Sequence, residues 1–196
     1  KAKSMTLRME LGGTYSQKSQ NLANDSYIMF QTKSVTFRLL DSKGGPLKGG
    51  ASYYAGGWKT FGSGETETSM ELLPGSYTFK VTYNGASIQK SQNISEDPMV
   101  EFRTVPVTVE LKSSDDKPLE GTASFYAGGW QEIGATGTPI ELLPTSYTFR
   151  VSYLGASNQR AETIIEGQDN VIVFNTAKVT FKLQSSIGLP LKGDAW

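Results

Sequence analysis

The chain has 196 residues, with 19 basic and 19 acidic side chains and neither cysteine nor histidine. Zero net charge with no basic run argues against a nucleic-acid partner, which needs surplus Lys and Arg to displace counterions. The missing Cys and His exclude disulfides, thiolate metal sites and histidine-based acid–base catalysis. No run of about 20 apolar residues offers a membrane helix.

Taken in chain order, the first segment already belongs to a repeat. Ser4-Met5-Thr6-Leu7-Arg8 matches Ser76-Tyr77-Thr78-Phe79-Lys80, and Gln17–Asn21 is identical to Gln89–Asn93. Phe30-Gln31-Thr32 recurs as Phe102-Arg103-Thr104 and Phe174-Asn175-Thr176, each step being 72 residues. Val35–Leu39 recurs as Val107–Leu111 and Val179–Leu183, and Pro46-Leu47 as Pro118-Leu119 and Pro190-Leu191. Ala51–Trp58 matches Ala123–Trp130, and Glu71–Phe79 matches Glu141–Phe149. The expected division is therefore 1–32, the end of one copy; 33–104 and 105–176, two complete copies; and 177–196, the start of another. A chain that opens in mid-repeat and closes at Trp196 implies a longer parent array.

Within one copy, Val35, Phe37 and Leu39 alternate with Thr36 and Arg38, the period-2 pattern of a half-buried strand. Asp41–Pro46 is a turn cluster. Ala51–Ala55 reads as a short strand ended by Gly56-Gly57, with Trp58–Phe61 returning. Thr68–Leu73 is a strand stopped by Pro74-Gly75. Tyr77, Phe79, Val81 and Tyr83 alternate cleanly, and Asn84-Gly85 signals a hairpin because both residues tolerate positive φ. Ser87–Ser91 is a polar edge strand, and Val100 and Phe102 point inward on the last one. The pattern predicts an all-β fold: tandem seven-stranded antiparallel β-sandwiches, Ig-like or prealbumin-like, of about 72 residues. The expected core is Val35, Phe37, Leu39, Leu72, Tyr77, Phe79, Val81, Val100 and Phe102, with their counterparts in the second copy.

The stretches Asp41–Ala51 and Leu72–Phe79, with Asp116–Ala123 and Leu142–Phe149, resemble the prealbumin-like sandwiches. These include the Cna-B repeats of bacterial surface proteins and the carboxypeptidase regulatory-like domain. The resemblance implies an extracellular spacer or adhesin module. The family's usual Thr-Asp-x-x-Gly turn is replaced by Gly62-Ser63-Gly64-Glu65 and Gly134-Ala135-Thr136-Gly137. Some Cna-B domains carry a Lys–Asn crosslink assisted by an acid. Glu71 and Glu141 fall near that acid's place, but only Asn175 offers the amide, since Gln31 and Arg103 stand at its equivalents.

A glycosidase-like carboxylate pair among Glu65, Glu67 and Glu71 is not kept in the second copy, where only Glu141 remains. Asp41, Asp115 and Asp116 fall short of the six to eight oxygens calcium takes. No enzyme, cofactor or metal is expected. Tyr53, Tyr54 and Trp58, repeated as Phe125, Tyr126 and Trp130, have two readings. They seal a sandwich end or a domain junction, or they form an aromatic platform for glycans. Asn24 and Asn93 satisfy the N-glycosylation pattern. The short joins around Thr32-Lys33, Thr104-Val105 and Thr176-Ala177, one stiffened by Pro106, lead to the functional expectation. It is a structural repeat of an extracellular fibre, stalk or adhesin that stacks head to tail, with neighbouring copies as partners. The alternative is a tandem carbohydrate-binding module.

Overall fold

A computed structural model describes residues 4–193; the outermost residues assigned to the two partial copies, Trp196 among them, lie outside the described residues. The described chain is all-β and contains no helix. It opens with a hairpin of β1 (Ser4–Leu11) and β2 (Thr14–Asn21). The first complete copy holds β3 (Lys33–Leu40), β4 (Pro46–Leu47), β5 (Gly49–Tyr54), β6 (Trp58–Glu65), β7 (Glu67–Leu72), β8 (Ser76–Tyr83), β9 (Ala86–Asn93) and β10 (Met99–Arg103). The second holds β11 (Val105–Lys112), β12 (Pro118–Leu119), β13 (Thr122–Tyr126), β14 (Trp130–Ala135), β15 (Pro139–Leu142), β16 (Ser146–Tyr153), β17 (Ala156–Thr163) and β18 (Asn170–Asn175). A small ladder of β19 (Leu183–Gln184) and β20 (Pro190–Leu191) follows.

Each copy is two sheets. In the first, β6-β5-β8-β9 form one sheet, and β3 collects β10, β4 and β7 into the other. The second repeats this with β14-β13-β16-β17 and with β11 between β18 and the pair β12 and β15. Two expectations need correction. Each copy has eight strands rather than seven, because Pro46-Leu47 and Pro118-Leu119 form two-residue strands against β3 and β11. Nor is the sandwich wholly antiparallel: β10 runs parallel to β3, and β18 parallel to β11. An alternating strand looks the same in sequence whichever way its neighbour runs, so periodicity does not reveal this. Because the first and last strands lie side by side in one direction, the chain enters each sandwich at one end and leaves at the other.

The alternation sets the core. On β8, Tyr77, Phe79 and Val81 are buried while Thr78 and Lys80 are half-buried and Thr82 is exposed. All nine expected core residues are at most 5% exposed. Aromatic rings meet edge-on inside the first copy, Tyr53 with Phe61 at 6.2 Å and with Tyr77 at 6.0 Å, a geometry that suits ring quadrupoles. Polar β9 is a sheet edge, pairing with β8 alone.

Candidate functional site

The residues that meet across copy boundaries form a polar arrangement that ties neighbouring copies together. At the join of the two complete copies, one residue separates β10 from β11. That residue, Thr104, is 1% exposed. Its backbone N–H donates to the Leu40 carbonyl at 2.9 Å, extending the ladder of the first sandwich up to the start of the second. Its hydroxyl donates to Glu141, which also accepts from the Ser42 hydroxyl and, at 3.2 Å, from the Ser42 backbone N–H. Glu141 lies on β15, which pairs with β11 so that Glu141 stands opposite Pro106. A carboxylate of the second sandwich thus holds both the turn and the exit strand of the first. Hydrogen bonds to an ionised acceptor are the stronger kind.

The β8–β9 hairpin tip makes the other half of this contact. Gly85 has φ 75°, a conformation glycine takes without strain. A Cβ there would run into the Ala127 carbonyl oxygen. Beside it, Gln131 Nε2 donates to the Asn84 carbonyl at 3.1 Å.

The hairpin-tip contact recurs at the preceding boundary from the residues 72 positions earlier, whereas the carboxylate clamp does not: Glu71, at the place of Glu141, is exposed. The β1–β2 tip, Gly12-Gly13, sits where Asn84-Gly85 sits, and a Cβ on Gly13 would stand 2.9 Å from the Ala55 carbonyl oxygen. The donor has changed. The Gly12 carbonyl accepts from the Tyr53 hydroxyl at 3.0 Å, whereas the equivalent Asn84 carbonyl accepts from Gln131. Phe125, at Tyr53's place, has no hydroxyl to offer. The tip carbonyl is therefore satisfied at both boundaries by side chains from different positions. Thr14 adds a hydroxyl contact of 3.0 Å to Tyr77, whose own hydroxyl donates to the Leu73 carbonyl at 2.8 Å.

Burial acts on two of the tyrosine phenols, Tyr53 and Tyr147. It raises the Tyr53 pKa, with neighbouring Tyr77 adding to the effect. It pushes Tyr147 up to about 12, against a lowering contribution from its hydrogen bond with the Leu143 carbonyl.

The six aromatics singled out in the sequence divide into two sets. Tyr53 and Phe125 are core residues, 3% and 1% exposed. They present no face to a glycan, and Tyr53 alone reaches across a boundary through its hydroxyl. The inward phase of β5 is set by Ala51 and Tyr53, so Tyr54 faces out. Tyr54 and Trp58 are exposed and meet edge-on at 5.6 Å; Tyr126 and Trp130 do the same at 5.6 Å. Lys80 Nζ lies 4.1 Å from the Trp58 ring centroid and Arg150 Cζ 4.0 Å from that of Trp130. The indoles therefore lie on the outer sheet face under a cation rather than over a sandwich end. The Ala-Gly-Gly-Trp motif meets the boundary through the Ala55 and Ala127 carbonyls, and the residues that follow it, Lys59 and Gln131, do so through their side chains.

Asn24 is exposed in the turn after β2. Asn93 is half-buried, its amide nitrogen donating to Glu96 and its oxygen accepting from the Ser95 N–H, so its side chain caps a turn. Asn175 is exposed at the end of β18. Among the described residues, no three acidic side chains gather as a metal site.

Reading the sequence alone missed Ser42, Thr104 and Gln131 and gave Glu141 a different role. The available signal was the threonine kept at 32, 104 and 176 beside each join.

No family model matches the chain, and no curated protein matches it. Solved structures that share its general form are distant. The Bacillus anthracis TIE protein is 14% identical with a TM-score of 0.30, covering 89% of this chain and 40% of its own. A streptococcal ancillary pilin is 13% identical with a TM-score of 0.29, covering 74% of this chain and 62% of its own. A C-terminal fragment of the pilus adhesin SpaC from Lactobacillus rhamnosus GG is 11% identical with a TM-score of 0.30, covering 83% of this chain and all of its own. The chain thus spans less than two thirds of the first two. Likeness at this level assigns no family.

Proposed function

We propose that the chain is a stretch of a structural array in an extracellular fibre, stalk or adhesin, in which sandwich units 33–104 and 105–176 stack head to tail as a rod. The observation that carries this is the boundary itself: a one-residue join at Thr104, clamped by Glu141 and by a hairpin tip seated under Ala127. The hairpin-tip contact is shared by both boundaries, and a contact repeated at each step gives a straight or gently coiled array. Entry and exit at opposite ends of each sandwich suit the same arrangement. The role is mechanical rather than catalytic, and neighbouring repeats are the partners. Small-angle scattering from the 196-residue chain tests this. A rod gives one narrow distribution of maximum dimensions, which broadens when a flexible Gly-Ser insert follows Thr104. A distribution already broad without the insert would reject the rod.

A second reading rests on the exposed Tyr54–Trp58 and Tyr126–Trp130 pairs, which recur 72 residues apart. Aromatic pairs at a fixed spacing suit a polymeric glycan. Trp58 and Trp130 are 40% exposed and Tyr54 and Tyr126 51% and 48%, which leaves aromatic surface for stacking. Glycan-array binding that is lost in the double variant Trp58→Ala/Trp130→Ala, with the melting curve intact, would support it. No binding by the unaltered chain would remove it.

A further inference from the structure

We propose that the outer face of the β6-β5-β8-β9 sheet, and of its counterpart in the second copy, binds an acidic polysaccharide, with sugar rings against the Tyr–Trp pair and carboxylates on Lys80 or Arg150. The proposal rests on the glycan reading and adds to it the charge of the glycan.

The sheet register builds the site. Ser52 stands opposite Thr60 on one side and Lys80 on the other, and Lys80 stands opposite Gln89, so these residues form one row across the sheet. Two residues along a strand is a step of about 7 Å that keeps the same face. Tyr54 and Trp58, opposite each other, therefore fall in the next row. The second copy repeats the plan: Ser124, Arg150 and Gln159 share a row, and Tyr126 and Trp130 share the next. In both copies an exposed aromatic pair, a cation and hydroxyl and amide groups lie on one surface, which suits the apolar faces and hydroxyls of a sugar.

The cations set the choice of glycan. The chain has five arginines. Arg8 pairs with Glu10, Arg38 and Arg103 with Glu101, and Arg160 with Glu162. Arg150 alone has no carboxylate partner among the described residues. Its Nε donates to the Ser124 hydroxyl at 3.2 Å. A guanidinium carries five N–H donors in a planar fork, and such a fork takes a carboxylate through two parallel bonds. Lys80, at the equivalent place over Trp58, makes no ion pair among the described residues either. Stacking on an indole explains where the two cations lie but leaves their charge without a counterion. A carboxylated glycan fits both the aromatic surface and the charge.

The two copies differ in one respect. In the first, the cation's row holds no acidic side chain. In the second, Glu132 takes the place of Thr60 opposite Ser124 and is exposed. Its charge opposes an acidic ligand, so the first copy is the stronger site.

Titration calorimetry of the 196-residue chain tests this with a galacturonate hexamer, the neutral glucose hexamer of cellulose, and a glutamate hexamer, which has carboxylates but no sugar ring. The galacturonate should bind about tenfold more tightly than the neutral sugar, as one charge-assisted contact allows, and should weaken as salt rises. The glutamate hexamer should not bind. Lys80→Gln/Arg150→Gln should bring galacturonate down to the level of the neutral sugar, with an unchanged melting curve. Lys80→Arg should leave binding as it is, and Glu132→Thr should strengthen the second site. The proposal is overturned if the two sugars bind equally or if the double glutamine variant binds galacturonate as the unaltered chain does; the glycan reading survives both results. It is also overturned if the glutamate hexamer binds as well as galacturonate, which would mark a contact of charge alone. Binding of neither sugar removes this proposal and the glycan reading together.

Discussion

The Glu141 carboxylate accepts the hydroxyl proton of Thr104 across the boundary between two sandwiches, and Ser42 shares the same acceptor. Glu141→Gln keeps the size of the side chain but loses the charge and one acceptor oxygen. It should weaken the joint by about 1.5–3 kcal/mol, the usual range for a hydrogen bond to a charged group. The expected readings are a broader scattering distribution and a coupling energy with Thr104→Val in a double-mutant cycle. Glu71→Gln, at the equivalent exposed place in the first sandwich, should change neither.

Two hairpin tips provide an internal control. Gly85 and Gly155 have φ of 75° and 80°, but only Gly85 presses on a neighbouring sandwich. Each Gly→Ala change carries a backbone strain of about 1 kcal/mol. Gly85→Ala must also drive a methyl group against the Ala127 carbonyl. Chemical denaturation should show the larger loss for Gly85→Ala, and only that variant should loosen the joint.

Core truncation tests whether the sandwiches unfold separately. Phe79 and Phe149 occupy equivalent, fully buried places. Phe→Ala at either should cost about 3–5 kcal/mol. Hydrogen exchange should show the loss concentrated in the altered sandwich, with a smaller effect on its neighbour through the shared joint.

Alkaline stability follows from Tyr147, whose pKa rises from 10.0 to about 12 on burial. The unfolded chain ionises this phenol first, so the folded state holds the proton more tightly between those values. The stabilisation is fully present below pH 10 and is lost as pH rises towards 12. Over that window it amounts to about 2–3 kcal/mol. Tyr147→Phe should flatten the fall of melting temperature between pH 10 and 12.

The strands were legible in the sequence because alternation at Val35-Phe37-Leu39 and Tyr77-Phe79-Val81 reports one buried face directly. The parallel pairing of β3 with β10 was not, since alternation carries no direction. The boundary was the least legible part. Ser42 and Glu141 are 99 residues apart in sequence, and no local pattern links a turn serine to a strand carboxylate. Sequence alone left the tryptophans open between a buried seal and an exposed platform, because large aromatics are usually buried, and both indoles are 40% exposed. Trp58 shares the outward phase of Tyr54, and Lys80 gives it a partner there.

The parallel placement of β3 beside β10 has a mechanical consequence. Tension applied where the chain enters and leaves the sandwich pulls these neighbouring strands past each other lengthwise. The five residue pairs from Met99–Thr36 to Arg103–Leu40 then share the load and must give way together. An antiparallel pair pulled from adjacent ends would instead peel apart one bond at a time. The second sandwich places six pairs in the same loading geometry.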